Sequence, residues 1–132
     1  MELRDAIDFV GTHDRTVLST RRRDGSPQMS AVNAGVVDGL ICISSRTMMA
    51  KVRNIRRDPA VSLLVLKEQF YGGWVQLDGT AEIVDQPAAL DLLERTYRAI
   101  RGEHPDWDDY RAAMIRDERV VIRVTPTRAV QG

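Results

Sequence analysis

The chain has 132 residues, a formal net charge of zero, 43% hydrophobic and 29% charged residues, and one cysteine. These values describe one globular domain with a core of its own. They exclude an internal disulfide, a cysteine-ligated zinc site and a global field that would draw in nucleic acid or an acidic membrane.

In chain order, Leu3, Ala6, Ile7 and Val10 recur at i, i+3, i+4 and i+7, which predicts a short helix ending near Gly11. Thr16–Thr20 is a first β-branched strand. The charged turn Arg21-Arg22-Arg23-Asp24-Gly25 leads into a return strand from Pro27 to Ala34. That strand alternates, with Gln28, Ser30, Val32 and Ala34 on one face and Met29, Ala31 and Asn33 on the other. A second Asp-Gly turn at Asp38-Gly39 precedes the apolar strand Leu40–Ile43.

Next comes the stretch around which the chain is organised. Ser44-Ser45-Arg46 follows the strand, and Thr47 opens a basic amphipathic helix that Asp58-Pro59 closes. Residues spaced 100° apart place Met48, Met49, Val52 and Ile55 toward the core and Lys51, Arg53, Asn54 and Arg57 away from it. Residues 46–57 hold five basic side chains and no acid. A lysine one turn into a helix opposes the macrodipole unless an anion sits there. Two serines, free N–H groups of a first turn and Lys51 are the parts of a phosphate site.

Ala60–Leu66 is a continuous apolar strand and reads as central. A loop with Phe70, Tyr71, Gly72 and Gly73 separates it from the long alternating strand Trp74–Val84, where Gly79 predicts a bulge. A helix from Pro87 to Gly102 follows. Asp106 caps a further helix over 107–115, and Val120–Thr125 is the last strand before Pro126. Six strands with hairpin turns and interspersed helices predict a mostly antiparallel barrel with helical cover, spanning residues 1–132 as one domain.

Few groups point to catalysis by the protein alone. No GxSxG elbow and no GxGxxG after a strand is present. His13 and His104 lack companions at metal or triad spacing, and Asp108-Asp109 point apart on their helix. Cys42, inside an apolar run, reads as a buried inert thiol. An enzyme with so few reactive side chains fits cofactor chemistry. The N-terminus lacks a signal peptide and no apolar run approaches a span of roughly 18 residues, so a cytoplasmic protein is expected.

The pattern Ser44-Ser45…Lys51-x-x-Asn54-x-x-Arg57-Asp58-Pro59, preceded by Asp24-Gly25-x-Pro27-x-x-Ser30, resembles the split β-barrel flavin and deazaflavin oxidoreductases, whose founding member is pyridoxamine 5′-phosphate oxidase. The segment from Tyr97-Arg98 through Gly102-Glu103-His104 to Tyr110-Arg111 resembles the branch that uses the deazaflavin coenzyme F420. The resemblance covers about residues 2–130. It implies a six-stranded antiparallel split β-barrel, paired as a homodimer with two cofactor sites at the subunit interface. Pro27, Gln28, Met29 and Ser30 would line the cofactor ring. Ser44, Ser45 and Lys51 would hold its phosphate, beside Met49 and Ala50. Asn54 and Arg57 would support that site or an acidic tail, and Gly73, Trp74 and Val75 would approach the ring from the other subunit. The implied activity is hydride transfer between F420 and a conjugated small-molecule acceptor, with no metal and no assigned catalytic side chain. The phosphate site alone does not separate F420 from FMN, and a carrier that binds either without turnover is the alternative of another class. True pyridoxamine phosphate oxidases grip the substrate phosphate with an arginine-bearing C-terminal segment, whereas this sequence stops at Gly132 just past its last strand, so oxidation of pyridoxamine phosphate itself is not expected.

Overall fold

The computed structural model describes residues 1–132. Its elements are α1 (Leu3–Thr12), β1 (Arg15–Arg21), β2 (Pro27–Asn33), β3 (Gly35–Val37), β4 (Leu40–Arg46), α2 (Ala50–Arg57), β5 (Ala60–Leu66), β6 (Trp74–Val84), α3 (Ala89–Arg101), α4 (Trp107–Arg116) and β7 (Arg119–Gln131). All seven strands form one antiparallel sheet in the order β2-β1-β5-β6-β7-β4-β3. The sheet is a mostly antiparallel split barrel, as the sequence predicts, with seven strands instead of six.

The additional strand is β3. Three residues carry too little alternation to register as a strand, yet the Asp38-Gly39 turn that follows does its work. Both residues take positive φ, 53° and 76°, as a two-residue hairpin turn requires. β4 continues through Ser44 and Ser45, so the serines lie within the strand and not beyond its end. β7 likewise runs past Pro126. That proline pairs with Gly79 at a register shift in β6, where its missing N–H costs no ladder bond. The irregularity expected at Gly79 is present, with the extra residue, Thr127, on the β7 side, and a Cβ on Gly79 would collide with the Thr125 carbonyl.

The main core lies inside the curl of the sheet. Leu18, Ile41, Ile43, Leu63, Val65, Leu77 and Ile122 meet Ala6 and Val10 of α1 and Val52 and Ile55 of α2 there. A second cluster lies on the other face, where Cys42 and Val121 meet Leu92, Leu93 and Tyr110. β4 and β7 are therefore buried on both sides, which explains their unbroken apolar runs. β5, predicted as central, lies third from one edge, with Val61, Leu63 and Val65 buried and its other face half-buried. Burial pushes the Cys42 thiol up to about 11, so this sulfur is unreactive near neutrality.

Candidate functional site

The two edges of the sheet, β2 and β3, are neighbours in the chain, so the curl brings opposite ends of the sheet together without a closing ladder. A cleft of about 700 Å³ occupies this split. β1 and β2 form one wall, through Arg15–Val17 and Ala31–Asn33. β4 and β7 form the other, through Ser44, Ser45, Arg46 and Arg119, and Met49 and Lys51 enter from the start of α2.

The charge of this cleft is one-sided. Arg15, Arg46, Lys51 and Arg119 line it, and no carboxylate does. None of the four takes part in the ion pairs of the fold. Arg46 and Arg119 stand directly opposite each other in the β4–β7 register, an arrangement that destabilises a sheet unless an anion lies between or beside them. The Arg119 Nε is fully buried with no hydrogen-bond partner. Such an orphaned donor costs free energy until something accepts from it. Desolvation, reinforced by the charge of Arg119, holds the Lys51 ammonium below its ordinary pKa.

The start of α2 adds a further donor set. Met49 leads into the helix in an extended conformation, no side chain caps it, and its first turn contains no acid. The first N–H groups are thus available to an acceptor in the cleft. The helix begins at Ala50, not at Thr47, whose N–H is held by the Glu118 carbonyl. This later start leaves Met48 and Met49 in the preceding turn. They are exposed and not part of the core as their spacing suggests, and Met49 borders the cleft.

Of the residues singled out in the sequence, the structure gathers Ser44, Ser45, Met49 and Lys51 in the cleft, with the exposed Ala50 beside them. Asn54 and Arg57 lie elsewhere. Asn54 is buried, although its helical angle places it among the basic residues, because its amide donates to the Thr20 hydroxyl (3.1 Å) under α2. Thr20 donates to the Gln28 carbonyl oxygen (3.1 Å), and the Gln28 amide donates to Ser30 (2.9 Å). Arg57 donates to the Asn54 carbonyl oxygen (3.2 Å) and to the Arg21 carbonyl (2.6 Å). Asn54, Arg57, Gln28 and Ser30 thus form a relay that pins α2 to the β1–β2 hairpin.

The cleft takes the Ala31–Asn33 half of β2, whereas Pro27 and Met29 are exposed at the other half. Val75 is buried in the core. Trp74 pairs across the sheet with Leu66, a cleft residue, but neither it nor Gly73 lines the cleft. A separate hollow of about 480 Å³ on the flank of α2 is lined by Arg23, Arg53, Asn54, Arg56 and Arg57. Arg15 and Arg119 are site residues that local sequence patterns do not reveal. Only the barrel's register brings them to Lys51.

The cap expected at Asp106 is present. The Asp106 carboxylate accepts from the Asp109 N–H at the start of α4. His13 sits at the end of α1, stacked on Phe9 with its Nδ1 3.0 Å from the Phe9 carbonyl. His104 packs among Tyr97, Trp107 and Tyr110. No group of three or more His, Cys, Asp or Glu side chains is placed to share a metal ion, and no helix is long and apolar enough to cross a membrane.

The whole architecture is found in known proteins. The chain superposes on a conserved hypothetical protein from Mycobacterium tuberculosis with a TM-score of 0.79 and 28% identity, covering 99% of this chain and 84% of that one. It matches an F420 reductase with a TM-score of 0.71 and 25% identity, over 93% and 94% of the two chains. General Stress Protein 26 from Bacillus anthracis shares the fold, with a TM-score of 0.66 at 20% identity over 99% of this chain and 94% of that one. The family model described as pyridoxamine 5′-phosphate oxidase matches residues 3–131. With its curled sheet, open split and cationic cleft, the chain belongs to the pyridoxamine 5′-phosphate oxidase family.

Proposed function

We propose that this protein is an F420-dependent oxidoreductase acting on a conjugated small-molecule acceptor. The observation that carries the reading is the uncompensated cation set of the split, with Lys51 beside Arg119 and no acid among the lining residues. A phosphate held by Lys51, Ser44, Ser45 and the uncapped first turn of α2 would meet this charge and leave the Arg119 Nε to a second anion. Likeness to an F420 reductase at 25% identity over nearly all of both chains supports the deazaflavin over FMN. The arginine-lined hollow beside α2 suits the acidic tail of that coenzyme.

When bound and reduced, the coenzyme supplies a hydride to the acceptor. The protein's part is to bind, orient and exclude water. Lys51, Ser44 and Ser45 would hold the phosphate. Val17, Ala31, Val32 and Leu66 provide apolar walls for a flat ring. No side chain is assigned as a proton donor.

A homodimer completes this reading. Ala31, Val17 and Leu64 form one cross-strand row on the outer face of the sheet, beside Met29 at 64% exposure and Val130 at 49%. A second copy covering this row would also close the open side of the split. Leu64→Glu should then shift the sedimentation of the protein to that of a single chain.

The decisive experiment is a pair of titrations of the cofactor-free protein, one with F420 and one with FMN. Tight F420 and weak FMN supports the assignment. The reverse moves the protein to flavin chemistry, and binding of neither removes the cofactor reading. Tight binding without turnover across a panel of acceptors would leave a carrier.

A further inference from the structure

A second cavity, of about 320 Å³, lies between α3, α4 and the sheet, and it opens onto the same split. Asn33, Ser44 and Arg119 line both spaces. The far end of the cavity is apolar, formed by Leu93, Tyr97, Ile100 and Met114. Its nearest polar groups are already spent. The Tyr110 hydroxyl donates to the Leu93 carbonyl (3.0 Å), and the Thr96 hydroxyl donates to the Leu92 carbonyl (2.7 Å). What remains at that end is ring face and methyl. At the shared end stands the one buried side-chain nitrogen of the protein that lacks a partner, the Arg119 Nε. A cavity of this size, apolar at one end with the half-buried Arg119 and its buried Nε at the other, recognises a small molecule with the same polarity.

We propose that this cavity seats the hydride acceptor, and that the acceptor is a small flat or apolar molecule carrying one carboxylate, whose head is held by Arg119 at the border of the cofactor cleft. The assignment of the bound molecule as acceptor rests on the oxidoreductase reading above. The binding site itself does not. Tyr97 is fixed from three sides by His104, Trp107 and Tyr110, with ring centroids 5.1–5.7 Å apart, so the wall of the seat is rigid. Arg101, the other cation lining the cavity, is exposed on the last turn of α3.

The test is calorimetric titration of the whole, cofactor-free chain with trans-cinnamate and, separately, with its neutral isostere trans-cinnamamide. The acid should bind at least about tenfold more tightly than the amide, the difference a charge-assisted bond provides. Arg119→Gln should remove that preference, and Arg101→Gln should leave it. Met114→Trp, which fills the apolar end, should abolish binding of both probes, with Ile100→Phe as a second filling variant should the first lose its cooperative melting transition. Equal binding of acid and amide, loss of the preference in the Arg101 variant in place of the Arg119 variant, binding indifferent to the filling variants, or no binding of either probe would each overturn the proposal. The titrations contain no cofactor. Cinnamate binding with failed F420 and FMN titrations therefore removes the cofactor reading and keeps the site, and the opposite result removes the site alone.

Discussion

Two regions of this protein treat their arginines in opposite ways. Around α3, α4 and the outer sheet, cations are paired. Arg95 meets Asp38 at 2.6 Å, Arg98 meets Glu103 at 2.9 Å, Arg111 meets Glu94 at 3.0 Å, and Arg123 meets Glu82 at 2.6 Å. In the split, Arg15, Arg46, Lys51 and Arg119 have no acid within reach, although the chain contains as many acids as bases. Neutrality of the whole thus conceals a sorted charge distribution. The paired region is self-sufficient. The unpaired one leaves its cations uncompensated, a cost to the free fold that the anion site proposed above would relieve.

Lys51 separates the two regions most sharply. Lys51→Ala should weaken phosphate-bearing cofactor binding by about 10- to 100-fold, the range of a lost charge-assisted contact, with the melting transition retained. Unchanged affinity in a fluorescence titration would place the phosphate elsewhere. Asp78 tests the opposite region. It accepts from Ser62 (2.7 Å), Gln76 (3.2 Å) and Arg128 (2.7 Å), and Asp78→Ala should cost about 1–3 kcal/mol in urea unfolding because those donors lose a shared acceptor.

The same carboxylate gives a pH signature. The bond from Ser62, then those from Arg128 and Gln76, hold the Asp78 pKa below its ordinary value of 3.8. Its contribution is therefore fully present above that value and is lost as pH falls through the lower folded one. Asp78→Asn should flatten this part of the acid limb of a stability-versus-pH curve. Lys51 has the complementary behaviour. Its depressed pKa means that its charge opposes folding of the free protein at neutral pH, and the penalty fades only as alkaline pH removes the proton. Lys51→Met should accordingly raise the urea midpoint of the free protein while it weakens cofactor binding. The smallest effect belongs to the exposed pair Arg95–Asp38, where Arg95→Ala should leave the urea midpoint nearly unchanged, the more so in high salt.

Local pattern carried the sequence reading a long way. The helix α1, the Asp24-Gly25 and Asp38-Gly39 turns, the bulge at Gly79 and the cap at Asp106 are all determined by neighbours within a few residues, and all are where such rules place them. Ser44, Ser45 and Lys51 were visible for the same reason, being one strand end and the helix after it. Asn54 was misplaced because helical angle describes a face and not what the face meets. Thr20 comes from a strand far away in the chain. Arg119 was invisible. An arginine before an apolar strand is ordinary until the β4–β7 register sets it against Arg46. The short β3 escaped because three residues, one of them Gly35, offer no period to detect.

The split is assembled from both ends of the chain, Arg15 near the start and Arg119 near the finish, and this has a kinetic consequence. Those walls meet only after β1 has paired with β5 and β7 with both β4 and β6, which are among the most non-local pairings in the molecule. The anion site therefore cannot act as a folding nucleus. A bound cofactor should slow the unfolding limb of a chevron and leave the refolding limb unchanged, so that its protection takes the form of lifetime and not of faster maturation.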